Sequence, residues 1–377
     1  MRKAISLFIA VVLILVTLGI LILSSASSTK SEGASYYWMR QLMWLAFAFV
    51  AAAIAARLDY RFYRRLAVPL ACVSLALLVV VRLFFDPING SHRWIKVAGF
   101  TFQPSELAKI AVILLFAWWL ARYQRRLKEF IYGILVPFSM LALFAGAIIV
   151  EPDYGTTLLI SSVAVCMMYL SGVSMMPLFS AGLLGVGGIA LLIRMNEERM
   201  GRIMGFLNPQ LHEQDEAWQL TNALRAFANG GQDGWWRGQG FGNSLQKYHY
   251  LPEAHTDFIF PILGEELGLV AAWVVVLLFL TLFILGIVIA LRAHDDFGRF
   301  MAFGITLMIS LQALINFAVV TGCVPTKGLA LPFISYGGSS LLISGGMIGI
   351  MVNIAHVSTK EPPRSERNIF KDRTRKV

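Results

Sequence analysis

The chain has 377 residues, of which 57% are hydrophobic and only 14% charged, and its formal net charge is +10. A water-soluble domain holds about a quarter charged residues, so this composition excludes a soluble globular fold. An outer-membrane barrel is excluded too, because the alternating segments of about ten residues that build one are missing.

What remains is an all-α polytopic membrane protein. Its apolar residues come in blocks of about 16 to 22, long enough to cross roughly 30 Å of hydrocarbon as helices. Taken in chain order they predict ten spans: 4–24, 41–56, 66–85, 104–121, 130–150, 155–171, 177–193, 259–291, 299–320 and 338–357. The first follows Met1-Arg2-Lys3 but lacks a small-residue cleavage site leading into a mature soluble domain, so it reads as a retained anchor rather than a signal peptide. The expected organisation is a single ten-helix domain over 1–358 and a flexible basic tail over 359–377.

Basic residues fix the orientation, because cytoplasmic loops retain Lys and Arg. With the N-terminus inside, Arg57, Arg61, Arg64 and Arg65 share one inner loop, Arg122, Arg125, Arg126 and Lys128 the next, and Arg292 and Arg299 a later one. Together with Arg2, Lys3 and the basic tail, 19 of the 32 Lys and Arg then lie inside, and an even span count returns the C-terminus there. The expected location is the cell inner membrane, with both termini cytoplasmic. The positive charge reads as a topology signal and an attraction to anionic lipid. No aromatic-interleaved basic patch or recognition helix points to nucleic acid. Cys72, Cys166 and Cys323 stand apart, with no pairing or ligand spacing, so neither a disulfide framework nor a structural zinc is expected.

The longest excursion from the membrane is the outer loop 195–256, between spans seven and eight. Trp218, Trp235, Trp236, Tyr248 and Tyr250 make it too aromatic for a disordered linker. It is expected to fold as a cap with short helices, for instance over 218–227, lying above the other outer loops.

Five polar clusters gather at the outer ends of the spans, where charge is costly and is a functional hypothesis by default. Each also has an ordinary structural explanation. After Gly90-Ser91-His92-Arg93, Pro104 opens a helix that sets Glu106 and Lys109 on one face; the ordinary reading is a dipole-complementing i,i+3 pair, less convincing for the deeper Lys109. Asp153, after Glu151-Pro152, opens the next helix and suits a simple N-terminal role. Gly238, Gly240 and Gly242 leading to Lys247 could cradle an anion, or merely turn. His255 and Asp257, with Glu253, Glu265 and Glu266, crowd the mouth of span eight, and a helix cap accounts for one carboxylate only. Finally, Pro325-Thr326-Lys327-Gly328 through Pro332, Ser335, Gly337, Gly338 and Ser339 cannot be a continuous lipid-facing helix. Irregular backbone at that depth must be buried in protein or line a cavity. This is the strongest purely physical pointer to a site.

At these residues the chain resembles the SEDS family (shape, elongation, division and sporulation). GSHRW, FQPSELAK, EPDYGTT, GFGNSLQK, LPEAHTDFIF, GEELG and PTKGLALPFISYGGSS occur in the family's order and approximate spacing. PTKG looks more like the division branch than the elongation branch. Glu151 stands where Gln is frequent, 232–235 lengthens the loop, and Pro261 and Ala330 are less usual.

The resemblance implies ten transmembrane helices and a peptidoglycan glycosyltransferase that polymerises lipid II, with Asp257 as the essential acid. It implies functional roles for Arg93, Glu106, Lys109 and Asp153. A class B penicillin-binding transpeptidase is the implied partner, docked on spans eight and nine, among other division proteins.

In the implied reaction a sugar hydroxyl attacks C1 of a second lipid II and the pyrophosphate leaves. A single base suffices, because pyrophosphate departs as a stable anion. Asp257 is expected to be that base, its proton affinity raised by the cap and by Glu265 or Glu253, with His255 as the rival. Arg93, Lys109, Lys247 and Lys327 are the candidate cations, and Ser335 and Ser339 join them in binding substrate. No dedicated metal-ligand set is legible, although a divalent cation (magnesium or manganese) could share the charge. A lipid II flippase is the competing class, but it needs polar groups through the full membrane depth, and here they gather outside. The same spans and tail would also suit an elongation-type polymerase or a non-catalytic scaffold for division proteins.

Overall fold

The computed structural model describes residues 1–28, 34–86, 91–97, 100–195, 197–209, 217–232, 236–248, 251 and 254–360. Most of the expected tail, along with Gly90, Trp235, Tyr250 and Glu253, lies outside the described residues.

The helices are α1 (Arg2–Ala26), α2 (Ala34–Arg57), α3 (Tyr60–Phe84), α4 (Pro104–Arg122), α5 (Val136–Val150), α6 (Tyr154–Leu170) and α7 (Met175–Arg194). After them come α8 (Glu197–Leu207), α9 (Trp218–Gln232), α10 (Ile259–Leu291), α11 (Asp296–Val320) and α12 (Gly338–Lys360). A π-helical turn, Ile131–Leu135, leads into α5. Among the described residues, eight helices are long and apolar enough to cross a membrane: α1 to α4, α5 together with its π-helical lead-in, and α10 to α12. The sixth and seventh expected spans coincide with the shorter apolar α6 and with α7.

Sequence sets the helix starts. Asp59, Asp153 and Asp295 sit just before α3, α6 and α11, and each carboxylate accepts a first-turn amide, from Arg61, Thr156 and Gly298. This is the ordinary N-cap arrangement. Pro104 begins α4, where its missing N–H costs nothing. Between α3 and α4 the chain also forms a two-stranded antiparallel hairpin, β1 (Ile95–Val97) with β2 (Phe100–Phe102), in place of the expected plain loop. Its β-branched and aromatic residues favour strand, but three-residue strands are too short to show a pattern.

α4 is the central helix: 72% of its apolar stretch is buried, against 22% for α2. Between helices in lipid there is little hydrophobic drive, and close backbone approach at small residues does the work. Gly345 and Gly349 of α12 lie against Ala48 and Ala52 of α2, and a Cβ on either glycine would come within 2.7 Å and 2.3 Å of those residues' carbonyl oxygens.

The two ends of the bundle differ. At one, the Tyr60 hydroxyl donates to Asp295 (2.8 Å), while Asn353 accepts the Tyr60 amide and donates to the Ala56 carbonyl (both 2.8 Å). These bonds gather the α2–α3 turn, the α10–α11 turn and the end of α12, the same turns that hold Arg57, Arg61, Arg64, Arg65, Arg292 and Arg299. At the opposite end α9 packs on the first turns of α10. Phe227 meets Phe260 (5.7 Å between ring centroids), and a Cβ on Gly230 would stand 2.2 Å from the Gly264 carbonyl. The eighth expected span is broken: Gly268 in α10 has φ 85°, ψ 168°.

Candidate active site

The inner part of the irregular segment 321–337 is buried in protein, as its sequence requires. Leu329, Leu331, Phe333, Ile334 and Ser335 are all buried. Gly19 of α1 permits a close approach, since a Cβ there would lie 2.6 Å from the Ile334 Cα. Two amides one helical turn apart on α11 satisfy the freed carbonyls. Gln312 Nε2 donates to Ala330 O (2.7 Å), and Asn316 Nδ2 donates to Leu329 O and Asp257 O (both 2.8 Å). Ser335 Oγ donates to Thr256 O (2.7 Å) and accepts the Leu331 amide, while the Tyr336 amide donates to His255 O (3.0 Å). The segment and the turn before α10 are thus stitched into one surface. On it, the Asp257 carboxylate lies against Gly328, so close that a Cβ there would be 2.7 Å from Oδ2.

Lys327, next in the chain, is half-buried and its ammonium has no hydrogen-bond or ion-pair partner among the described residues. Desolvation holds its proton affinity below the usual lysine range. A cation in this condition is suited to an anionic ligand.

Lys109 approaches the same segment from α4. Its buried ammonium donates to Glu106 Oε1 (2.7 Å) and to Gln312 Oε1 (2.9 Å), and so connects the expected pair to the amide that holds Ala330. Asp153 caps α6, its carboxylate accepting the Thr156 amide and hydroxyl, and Gln103 Nε2 reaches it at 3.4 Å. Gly155, the second residue of α6, faces Leu329, with 3.1 Å from a Cβ to the leucine side chain. Arg93 Nε donates to Glu151 O (2.8 Å) and Nη2 to Pro152 O, so it braces the α5–α6 turn. Ser339 Oγ accepts the Gln103 amide (3.1 Å) and donates to Thr101 O (3.2 Å), which ties α12 to β2. Residues 327–330 are therefore a hub, bordered by Asp257, Lys109 and the start of α6.

One candidate stands elsewhere. Lys247 is engaged with the start of α10 and with α1. Its ammonium pairs with the buried Glu266 (3.2 Å) and donates to Ser25 Oγ (2.9 Å) and Gly242 O. The expected anion cradle is instead a latch on the break in α10: Gly238, Gly240 and Gly242 take positive φ, and the Gln239 and Gly240 amides donate to the Glu265 and Glu266 carbonyls (2.9 and 3.0 Å). Glu265 cannot act freely on Asp257, because its carboxylate is held by Ser244 Oγ and Asn229 Nδ2. His255 packs among aromatic rings, 5.1 Å from Tyr37 and 5.9 Å from Tyr336 between centroids.

Sequence reasoning does not find Gln312, Asn316 and Ser25. Gln312 and Asn316 do carry a usable signal, two amides at i,i+4 inside an otherwise apolar span. Among the described residues no group of three or more His, Cys, Asp or Glu is placed to hold a metal ion.

Comparison with known proteins covers nearly the whole chain. The profile of the FtsW/RodA/SpoVE cell cycle protein family matches residues 5–360. The probable peptidoglycan glycosyltransferase FtsW of Trichlorobacter lovleyi is 39% identical over 350 residues, which are 91% of this chain and 91% of that protein. A chain from a peptidoglycan synthase complex that coordinates polymerization and crosslinking superposes with TM-score 0.77 at 24% identity, over 94% of this chain and 98% of its own. The rod shape determining protein RodA of Thermus thermophilus gives TM-score 0.69 at 24% identity, over 93% and 95%.

Proposed function

The chain belongs to the FtsW/RodA/SpoVE family of cell cycle proteins, and from that membership we propose that it polymerises lipid II with Asp257 as general base. It is a multi-pass membrane peptidoglycan glycosyltransferase. The finer reading rests above all on one observation: the Asp257 carboxylate lies against Gly328, beside a lysine that no protein carboxylate neutralises among the described residues.

The chemistry asks for a base at an acceptor hydroxyl and positive charge at a departing pyrophosphate, within reach of each other. Asp257 would take the proton of the acceptor's 4-hydroxyl as that oxygen attacks C1 of the donor's MurNAc unit. Lys327, and Arg93 across the start of α6, would stabilise the charge that develops on undecaprenyl pyrophosphate. The donor carbon inverts. A magnesium or manganese ion carried by the pyrophosphate would add to the positive charge without a protein cage, as such ions commonly do. Lys109 serves by holding Gln312 and Glu106 in place, and Ser335 and Ser339 by joining the segments that carry the site.

The basic turns lie at the opposite end from Asp257, which supports a site on the outer face and cytoplasmic termini in the inner membrane. FtsW relatives of 35–40% identity support a role in division. A class B penicillin-binding transpeptidase is the proposed partner. The exposed apolar ridge of α10, with Trp273, Leu277, Leu280 and Ile284, is available to a partner's membrane helix.

The test is polymerisation of purified lipid II by the reconstituted chain together with its transpeptidase. Asp257→Asn is expected to lower the rate by about 10²–10⁴-fold, the usual worth of a positioned base. Glycan made by Asp257→Asn at the normal rate would remove the base assignment. Lipid movement across vesicles without polymer would point to the flippase.

A further inference from the structure

The turn between α5 and α6 holds a carboxyl group that the mechanism does not use. Glu151 is wholly buried (0% exposed), and neither carboxyl oxygen has a hydrogen-bond partner among the described residues. A buried carboxylate left in this condition is costly, and the usual remedies are a paired cation or a retained proton.

A cation is at hand and does not take the role. Arg93 places its guanidinium on Glu151's own residue, yet Nε donates to the Glu151 carbonyl at 2.8 Å and Nη2 to the Pro152 carbonyl. Guanidinium prefers a carboxylate to neutral carbonyls where geometry offers one. The choice made here is the one a protonated Glu151 permits. The only other charged group acting on it among the described residues is Asp153, two positions on and fixed in the α6 cap. Burial first, then the Asp153 charge, push the Glu151 carboxyl up to about 8, against the opposing pull of Arg93.

We infer that Glu151 is a positioning residue that works in its neutral form. While it keeps its proton, Arg93 stays on the two turn carbonyls with its charge uncancelled by any carboxylate among the described residues and open to a substrate phosphate. When the proton leaves to solvent, the new carboxylate captures the guanidinium, and the anion site loses one of its cations. This rests on the proposed role of Arg93 toward pyrophosphate.

The experiment compares wild type with Glu151→Gln, a neutral side chain of nearly the same shape, in lipid II polymerisation at pH 7 and pH 9 with the transpeptidase present. With ionisation centred near 8, the wild-type ratio of kcat/KM at pH 9 to that at pH 7 is expected to be about one tenth. The loss is expected mainly in kcat, because Arg93 acts on the charge that develops as the pyrophosphate leaves. In Glu151→Gln the ratio is expected to return close to one. An alkaline fall of the same size in Glu151→Gln would overturn the inference and pass the limb to another group, such as Lys327.

Thermal stability gives a second reading that needs no catalysis. A carboxyl whose folded-state proton affinity is raised stabilises the fold while it is protonated, and that contribution is lost as pH climbs toward and through about 8. Wild type is therefore expected to lose melting temperature relative to Glu151→Gln between pH 7 and pH 9. Parallel melting curves would overturn the inference. Wild type that makes no glycan at any pH yet shows the divergence would count against the proposed reaction and leave Glu151's proton in place.

Discussion

Gly328→Ala is the sharpest probe of where the base must sit. The added Cβ would stand 2.7 Å from Asp257 Oδ2 and 3.7 Å from Cγ, where ordinary contact begins near 3.4 Å. The Gly328 backbone is not left-handed, so alanine fits its conformation and the carboxylate has to yield by about 0.7 Å. Misplacement by about 1 Å costs on the order of 10²-fold in a positioned reaction. The expected loss in kcat is then about 10- to 100-fold, or about 1.4–2.7 kcal/mol of transition-state stabilisation. Stability should change little, within about 0.5 kcal/mol, because Gly328 is exposed and the displaced atoms end a side chain that is only partly buried. Initial rates of lipid II polymerisation at saturating substrate, with melting temperature alongside, separate the two effects. Combined with Asp257→Asn, the alanine should add almost nothing, since both act on one function. A rate within twofold of wild type, or fully additive losses in the double variant, would refute the placement of the reacting carboxylate against Gly328.

Three further outcomes follow from the packing. Glu106→Gln leaves the buried Lys109 ammonium with neutral amide oxygens and no counter-charge, and is expected to cost about 3–5 kcal/mol, with much of the loss recovered when Lys109→Met is added; equal melting of single and double variants would contradict the buried pair. Gly349→Leu drives a side chain into the Ala52 carbonyl and should part α2 from α12, seen as loss of the monodisperse protein in detergent, whereas Leu at Gly346, which meets nothing within 4 Å, should be tolerated. Lys247→Met leaves Glu266 buried without its cation, so the 236–248 loop should become sensitive to protease as activity falls; a raised KM for lipid II with an intact, protected loop would restore Lys247 as a direct substrate cation.

Much of this is legible in the sequence because a membrane leaves few solutions. Long apolar blocks must be helices, and Pro, Gly and Ser runs such as 325–340 must be sheltered breaks, so both can be read from composition alone. Capping carboxylates are readable as well: Asp153 does what a residue before a helix does. What the sequence hides are the partners. Nothing local shows that Lys247 meets Ser25, 222 positions away, rather than a ligand. Gly268 in GEELG looks like one more helical glycine until the loop amides of 239 and 240 are found on the carbonyls of Glu265 and Glu266. Glu151 reads in the sequence as a neutral departure from a family pattern, and only burial without a partner gives it chemical weight.

Asn316 explains why these pieces act together. Asp257 belongs to the turn before α10 and Lys327 to the break after α11, two segments separated by the whole length of both helices. One side-chain amide bonds both: Asn316 Nδ2 donates at 2.8 Å to the Asp257 carbonyl and at 2.8 Å to the Leu329 carbonyl. Irregular backbone in a membrane has to find such donors, since an unmet carbonyl away from water costs several kcal/mol. The bond that makes the break tolerable therefore also fixes the backbone of the proposed base against the segment that holds the proposed cation. Gln312, one turn earlier, does the same for Ala330 while accepting from Lys109, so one face of α11 holds the backbone at Asp257 and at 329–330 together with the buried pair. A shift of α11 would move these segments as a unit, whereas a fault at Asn316 alone would part the turn before α10 from the break after α11.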